Sequence, residues 1–287
     1  MNIKQLNSYA RLGRIRISLV AGVSAMTGYI LAAYSLRPGI YISGIGVFLL
    51  ACGASALNQY QERDLDALMD RTRSRPLPTG TRTVGEALLF AGGTAVSGLI
   101  LIAVSGGIPG LLLGIFAIAW YNGLYTNLKK RTAFAAVPGA LVGAVPPVIG
   151  WHAAGGSLSD PGLIVLCLFF FIWQVPHFWL CAASLAEQYR RAGLPAVTSV
   201  FSEKQLSRVL FIWIAATAVC ALLFVPYGLA LHNAIRYLLT AASLGLTLQA
   251  TGILREKRGN AVYGYAFTGI NIYMLAVTAL LFADRLI

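Results

Sequence analysis

The stretch NQYQERDLDALMDRTRSRPLP, residues 58–78, gathers much of the charge of a chain that is otherwise apolar. It contains four of the ten acidic residues of the protein, with four arginines around them: Glu62, Asp64, Asp66 and Asp70, and Arg63, Arg71, Arg73 and Arg75. Asn58, Glu62, Asp66 and Asp70 are four residues apart, and each step of four turns a helical position by only ~40° and advances it ~6 Å. We therefore expect these side chains to line one slowly winding helical face.

The chemistry of this predicted face suits a bound anion and a hard cation. Mg²⁺ prefers oxygen ligands and typically takes one or two carboxylates together with substrate phosphates. Neighbouring arginines offer planar, bidentate donors to the same phosphates. The alternative is a solvated amphipathic loop whose ion pairs have only structural value. Charged residues make up only 11% of the chain, and their concentration at one membrane edge favours a metal-bridged diphosphate site.

Composition places the whole chain in a membrane. Of its 287 residues 57% are hydrophobic, and the mean hydropathy is +0.72, which excludes an ordinary soluble domain. The four cysteines lie in apolar segments without CxxC spacing, which is typical of free core thiols rather than disulfides or metal ligands. We predict one all-α, polytopic domain over residues 1–287. The net charge of +12 is attributed to membrane topology and anionic lipid rather than to nucleic acid.

Nine stretches are long and apolar enough to cross a bilayer, for which about 20 residues suffice. The first follows a basic segment and is itself span-length, so we interpret it as a retained helix rather than a cleaved signal. The third and fourth form one uncharged stretch, which we divide at the turn signal GGIPG, residues 106–110. The predicted spans are 17–36, 39–61, 87–105, 110–128, 132–151, 161–186, 209–228, 237–254 and 261–283.

The basic residues predict the orientation of these spans, because inside loops of membrane proteins carry an excess of lysine and arginine. With a cytoplasmic N-terminus and an outside C-terminus, 19 of the 22 basic residues lie inside, and Arg37, Arg236 and Arg285 lie outside. The two longest inside connections are 62–86 and 187–208. We therefore expect the active site at the cytoplasmic face. The inside set is Lys4, Arg11, Arg14, Arg16, Arg63, Arg71, Arg73, Arg75, Arg82, Lys129, Lys130, Arg131, Arg190, Arg191, Lys204, Arg208, Arg255, Lys257 and Arg258.

Two further stretches carry polar groups at the same predicted edge. YNGLYTNLKKRT, residues 121–132, places Lys129 at the inner end of the fourth span, either as a topological anchor or as a ligand of the diphosphate. FIWQVPHF, residues 171–178, puts His177 in the inner half of a span, where polar groups are costly and usually functional. His177 is open to three roles: a metal or haem-iron ligand, a general base, or a partner for the backbone carbonyl that Pro176 leaves unpaired.

Four blocks of the sequence resemble the protoheme IX farnesyltransferase family, in the UbiA-type superfamily of intramembrane prenyltransferases. The first block marks the superfamily, whereas PPVIGW and WQVPHF point to the haem-modifying branch. The resemblance covers nearly the whole chain, and the nine predicted spans match the helical bundle of the family. The blocks are NQYQERDLDALMDRTRSRP (58–76), YTNLKKRT (125–132), GALVGAVPPVIGW (139–151) and WQVPHF (173–178), the last followed by AGLP at 192–195.

The resemblance implies a Mg²⁺-dependent reaction in the cell (inner) membrane. A farnesyl group would pass from farnesyl diphosphate to a vinyl group of protoheme IX, giving haem O for terminal oxidases. The expected partners are farnesyl diphosphate, protoheme IX and the lipid bilayer, with haem A synthase or the terminal oxidase assembly as a further partner. Nucleic acid is not expected.

The resemblance also implies the roles of individual residues. Asn58, Glu62 and Asp66 match the N-x-x-x-D-x-x-x-D motif of the superfamily, and His177 matches the family histidine beside proline. The implied sets are Glu62, Asp66, Asp70 and Glu187 for the metal, Asn58, Arg71, Arg75 and Lys129 for the diphosphate, and Asp66, Lys129 and His177 for catalysis.

The sequence departs from the family pattern in two places. Glu62 stands where Asp is usual, which lengthens that predicted ligand by one methylene. In EQYRRAGLP, residues 187–195, Gln188 and Tyr189 stand where Asp-Tyr is usual, and Ala196 and Val197 replace Met-Leu. Glu187 is the remaining carboxylate of this second motif and our candidate for its ligand, whereas the alternative for this stretch is a charged rim.

Two other functions remain as alternatives. Prenylation of an aromatic or quinone precursor, as by 4-hydroxybenzoate polyprenyltransferases, would share the site at 58–75 but has no need of His177. A membrane transporter without enzymatic activity should carry ionisable groups near the bilayer midplane. The acids of this chain cluster at one edge instead, which disfavours transport.

We predict that a cysteine at Ser157 reacts with an impermeant thiol reagent in intact cells and that one at Ser74 does not. The reason is that the positive-inside pattern puts Ser74 in the cytoplasm and Ser157 outside. The labelling is done after the native cysteines have been replaced. Labelling of a cysteine at Ser74 but not of one at Ser157 would show that the topology is the reverse of the predicted one.

Overall fold

The computed structural model describes residues 3–255 and 261–287, and within these residues it contains helices but no strand. The predicted inside residues Lys257 and Arg258 lie outside the described residues. The helices α1 to α13 are, in chain order, Ile3–Leu12, Ile15–Ala33, Gly39–Gln61, Arg63–Leu68, Val84–Ile118, Thr126–Leu128, Ala136–Ala153, Pro161–Ser184, Ala186–Arg191, Val197–Val200, Glu203–Leu222, Asn233–Ala250 and Ala261–Ala283.

Three of the long helices begin at side chains that satisfy free N–H groups of the first turn. Thr83 and Glu86 form a capping box at the start of α5, and Ser202 and Gln205 form another at the start of α11. Asp160 caps α8 by accepting a hydrogen bond from the backbone of Gly162 at 2.7 Å. The two long predicted inside connections therefore end at capping signals that are visible in the sequence.

Eight helices in the described part of the chain are long and apolar enough to cross a membrane, which confirms an all-α, multi-pass architecture. The predicted count of nine is not confirmed, because the third and fourth predicted spans form one continuous 45-residue element, Val84–Leu128. Gly107 interrupts this element with a left-handed backbone, at φ 60° and ψ −156°, two residues before Pro109. The predicted division at GGIPG therefore coincides with a real break in the helix.

Contacts on both sides of Gly107 show that the element folds back on itself. A Cβ added at Gly110 would lie 3.1 Å from the Ile102 carbonyl oxygen, and one at Gly114 would lie 2.8 Å from a methyl carbon of Leu99. The turn itself lies beside His152 of α7. The two halves of the element thus run antiparallel, which favours two crossings, although the count of nine stays a prediction.

The loops separate into two opposite ends of the bundle. At one end Lys129 contacts Glu62, and the backbone N–H of Arg71 donates to Gln188 Oε1 at 3.1 Å. At the other end Asp284 accepts from the backbone N–H of Leu231 at 2.7 Å. This grouping agrees with the predicted alternation of loops, whereas the side of the membrane that each end faces stays a prediction.

The N-terminal helix α1 is attached to the long loop between α4 and α5. Arg82 is almost fully buried and donates to Ser8 Oγ at 2.8 Å, and its guanidinium lies 3.9 Å from the centroid of the Tyr9 ring. Arg11 hydrogen-bonds the backbone oxygen and the hydroxyl of Ser74. Helix α1 therefore holds the loop that carries the charged stretch.

Helices α2 and α7 approach each other closely because glycines face the opposite backbone. A Cβ at Gly28 would overlap the carbonyl of Pro147, and a Cβ at Gly150 would overlap the carbonyl of Ala25. Small residues at such crossings allow the dense packing on which helix association in lipid depends. These two glycines fix the position of α7, whose other side packs against α8.

We predict that Gly150→Ala destabilises the protein by about 1–3 kcal/mol, because its methyl group overlaps the backbone of α2. Thermal unfolding in detergent measures the effect. Gly93→Ala is the matched control, since a Cβ there meets nothing within 4 Å and alanine is favoured in helices. Equal unfolding temperatures of the two variants would contradict this account of the α2–α7 contact.

Candidate functional site

The charged stretch begins where α3 ends, and the helix does not continue through it. Glu62 leaves helical geometry at φ −117° and ψ 8°, and after the short α4 Met69 is extended at φ −107° and ψ 128°. A hydrogen bond from Asp66 N to Glu62 O, 2.8 Å long, keeps Asp66 one turn above Glu62. The predicted continuous face therefore holds from Asn58 to Asp66 and fails at Asp70.

Two buried carboxylates form the centre of the site, and each has a cationic partner. Glu62 Oε2 lies 2.7 Å from Lys129 Nζ, and Asp66 Oδ2 lies 2.5 Å from Arg75 Nη1. The carboxylate side chains are only 7% and 6% exposed. Charges buried in this way are stable only when they are paired. Each ion pair therefore fixes the relative position of the two chain segments that carry its side chains.

One oxygen of this centre has no partner. Glu62 Oε1 is buried without a hydrogen bond among the described residues. An unpaired carboxylate oxygen is costly in a buried position unless a cation or a ligand satisfies it. This atom therefore fits a metal ion better than it fits a purely structural ion pair.

Asn58 of α3 connects the site to α6 and to the turn between α1 and α2. Its Nδ2 donates to Thr126 Oγ1 at 3.0 Å, and its Oδ1 accepts from Arg14 Nη2 at 3.5 Å. Arg14 stands between α1 and α2 with a left-handed backbone at φ 46°, which is uncommon for a residue with a side chain. The sequence prediction used Arg14 only as a topology signal and missed its place at the site.

The site carries more positive than negative charge. Within the described part of the chain Arg75 is paired with Asp66 and Lys129 with Glu62, whereas Arg14 hydrogen-bonds the neutral amide of Asn58. Burial lowers the pKa of Arg75, and repulsion from Arg14 lowers this pKa further. Burial also lowers the pKa of Lys129, while the Glu62 carboxylate opposes this shift. An incoming anion would relieve the repulsion and replace lost solvation.

A π-helical segment, Ala119–Tyr125, lies against α3 beside the site. In it Asn122 donates to the Ala54 carbonyl oxygen and to Gln61 Oε1, at 3.0 and 3.1 Å. Such segments are rare and occur frequently at functional sites. The segment shifts the register of the chain so that Thr126 and Lys129 reach α3, which helical periodicity alone does not predict.

Three predicted site residues are exposed rather than buried with this centre, although the Arg71 charge contributes to the lowered pKa of Arg75. Asp70 is exposed and lies 3.4 Å from Arg73, and the Arg71 side chain is exposed. Glu187 contacts Arg190 and Arg191 of its own helix at 2.6 and 3.0 Å, and these bonds lower its pKa. The reason for Asp70 is local: Met69 buries its side chain, which turns the next residue outward. The roles of these three residues stay predictions.

The donor set fits Mg²⁺ when the substrate supplies part of the coordination. The described residues contain no group of three or more His, Cys, Asp or Glu side chains that could hold a metal by themselves. Mg²⁺ commonly uses one or two carboxylates together with phosphate oxygens and water. Glu62, with its free oxygen, and Asp66 match that requirement.

His177 lies in α8 within a group of aromatic rings. Its ring centroid is 4.8 Å from that of Trp173, 4.9 Å from that of Phe267 and 5.6 Å from that of Phe178. Its Nδ1 lies 2.8 Å from Asn271 Oδ1. The partner of His177 is thus a side chain of α13 rather than the carbonyl that Pro176 frees.

Stacked rings connect this aromatic group to the charged centre. Phe178 stacks on Tyr125 at 5.4 Å, and Lys129 Nζ lies 5.4 Å from the centroid of the same tyrosine ring. An apolar groove of about 380 Å³ opens between α7 and α8. The exposure of Leu141 and Leu168 places it on the outer face of the bundle; its lining also includes Ala144, Val148, Cys167 and Phe171.

Solved structures with the same fold include a synthase and a UbiA homologue. A structure described as digeranylgeranylglyceryl phosphate synthase aligns with a TM-score of 0.78 at 16% identity and covers 99% of both chains. A UbiA homologue from Archaeoglobus fulgidus, bound to GPP and Mg²⁺, aligns with a TM-score of 0.68 at 18% identity over 98% of this chain and 100% of its own. At these identities the alignments establish the fold alone.

Sequence comparison gives the family. A protein of Oleidesulfovibrio alaskensis named protoheme IX farnesyltransferase is 39% identical over 98% of both chains. Another of that name from Geobacter sulfurreducens is 44% identical over 76% of this chain and 80% of its own. The UbiA prenyltransferase family matches residues 21–282, which confirms the resemblance, and the chain belongs to this family.

Proposed function

We propose that the protein transfers the farnesyl group of farnesyl diphosphate to a vinyl group of protoheme IX. In this reaction the bond between C1 and the diphosphate oxygen breaks, and a bond forms between C1 and the terminal vinyl carbon. Water then adds to the other vinyl carbon and loses a proton. The products are diphosphate and the hydroxyethylfarnesyl haem, haem O.

The observation that carries this proposal is the buried centre with excess positive charge, in a chain whose close relatives are named protoheme IX farnesyltransferase. A departing diphosphate needs positive charge that is already in place. The apolar bundle behind the centre would keep water from the allylic cation until the new bond has formed. The fold alone does not select the acceptor, because neighbours of the same fold have different names.

The charged residues would divide their roles according to their partners. Glu62 and Asp66 would hold Mg²⁺, which supplies positive charge to the diphosphate when it is bound. Arg75, Lys129 and Arg14 would bind diphosphate oxygens directly, since these three cations exceed the two carboxylates by one positive charge. Asn58 would orient Arg14 and keep Thr126 in place.

The acceptor would lie beside His177. The aromatic rings of Trp173, Phe178 and Phe267 form an apolar surface next to the imidazole, which suits a flat macrocycle. The imidazole would bind the haem iron or accept the proton of the added water. A quinone precursor would use the same diphosphate centre but has no need of this histidine.

We also propose the cellular setting. The active end of the bundle would face the cytoplasm of a cell whose inner membrane contains the protein, with the C-terminus outside. Haem A synthase or the terminal oxidase assembly would receive the product, because haem O is too apolar to leave the membrane freely.

We predict that membranes of a host without haem O acquire a farnesylated haem when the protein is expressed. Haem extraction, chromatography and mass spectrometry measure it. Chelation of Mg²⁺ by EDTA should stop the reaction, and added Mg²⁺ should restore it. Membranes with Asp66→Asn are the control, with a loss on the order of 100-fold, as for removal of one preorganised electrostatic group. A prenylated quinone instead of a haem would refute the acceptor.

Glu62 offers a sharper test of the metal assignment. We predict that Glu62→Asp keeps most of the activity, whereas Glu62→Gln loses at least about tenfold more, because only aspartate keeps a charged ligand and the pair with Lys129. Initial rates are measured across a Mg²⁺ titration. The Mg²⁺ concentration at half-maximal rate should rise for Glu62→Gln. Identical titration curves for the two variants would remove Glu62 from the metal site.

A further inference from the structure

Asn271 of α13 is the hydrogen-bonding partner of His177. The two residues are 94 positions apart in the chain, and their side chains meet with Oδ1 and Nδ1 at 2.8 Å. Within residues 3–255 and 261–287 this is the hydrogen bond that the imidazole makes. Both side chains are half-buried in membrane-spanning helices, where a polar pair of this kind has a strong effect on structure and chemistry.

The orientation of the Asn271 amide is fixed by its second bond. Asn271 Nδ2 donates to the Phe267 carbonyl oxygen, one turn earlier in α13, at 2.6 Å. A flipped amide would place Oδ1 against that carbonyl, with two acceptors facing each other. The amide oxygen therefore faces His177 and can only accept, so His177 Nδ1 is the donor.

This bond determines which ring nitrogen of His177 is free. A neutral imidazole carries one proton, and when Nδ1 holds it the lone pair is on Nε2. Nε2 is the nitrogen that can bind iron or accept a proton. Both roles left open for His177 require this tautomer.

The chemistry of an amide explains why the partner is Asn rather than Asp. A carboxylate in the membrane interior would be costly, and it would favour the charged imidazolium, which has no lone pair. An amide oxygen orients the ring without adding charge. The position is reinforced by Trp173, whose Nε1 donates to the Ile270 carbonyl at 3.1 Å and joins α8 to α13 at the same level.

We propose that Asn271 is a positioning residue that holds His177 as the Nδ1–H tautomer and thereby directs the Nε2 lone pair to the acceptor substrate. The proposal rests on the proposed function only for the identity of that substrate. Partners of this kind typically change ligand affinity or activity by about 10–100-fold when they are removed.

Nitrogen NMR of the protein labelled with ¹⁵N-histidine tests the tautomer directly and without substrate. The chain has three histidines, and the signal of His177 is identified by its absence in His177→Ala. We expect Nδ1 to be protonated and Nε2 to be bare in the parent. Asn271→Leu, which is similar in size but has no acceptor, should shift His177 to a mixture of tautomers, and Asn271→Asp should keep Nδ1 protonated. A parent with protonated Nε2, or an unchanged signal in Asn271→Leu, would overturn the proposal.

The functional arm compares the same variants in haem binding and farnesyl transfer. Asn271→Leu should lose about 10–100-fold in kcat/KM or in haem affinity, with unchanged binding of Mg²⁺ and farnesyl diphosphate, because the diphosphate centre is built from other residues. Asn271→Asp should also lose activity, because its carboxylate favours the imidazolium, which has no lone pair on Nε2. Thr268→Val is the matched control, since it removes an exposed hydroxyl on the same helix one turn away. Full activity of Asn271→Leu would exclude the positioning role.

The two arms separate this proposal from the proposed function. If the NMR signals behave as expected but no farnesylated haem is formed by the parent, the substrate assignment fails and the tautomer assignment stands. If haem is farnesylated but the tautomer is unaffected by Asn271→Leu, the positioning role fails and the enzyme assignment stands.

Discussion

A carboxylate that leaves water must gain a partner, and this constraint organises the active end of the bundle. Glu62 and Asp66 are both nearly buried, and their partners, Lys129 and Arg75, come from two different connections of the chain. One pair ties a loop to the end of α3 and the other ties a loop to α4, because breaking either would leave a buried charge without compensation. The same two ion pairs therefore determine the geometry of the site and attach its loops.

The apolar bundle gives these few charges their effect. Interactions between charges are stronger where water is excluded. The excess positive charge at this end of the bundle lies on side chains whose backbone does not need to rearrange. The same bundle provides apolar room on the α7–α8 face and a ring-lined position at His177. Charged groups and apolar surfaces thus lie side by side at this end of the bundle.

The sequence predicted the parts that depend on local pattern, and missed the parts that depend on the course of the backbone. Scarce charge at four-residue spacing pointed to Glu62 and Asp66, and the basic end of the fourth span pointed to Lys129; the structure buries the two carboxylates in ion pairs, and their catalytic and metal-binding roles stay predictions. The placement of Asp70 depends on how Met69 buries its side chain, which spacing does not reveal. Asn271 is 94 residues from His177, so only the packing of α13 on α8 could identify it.

The attachment of α1 gives the N-terminal residues of this protein a mechanical connection to the loop between α4 and α5. Arg82 contacts Ser8 and Tyr9, and Arg11 contacts Ser74, so the first helix and the loop between α4 and α5 form one mechanical unit. A force or a bulky group applied to α1 would be transmitted to Arg75 through this loop.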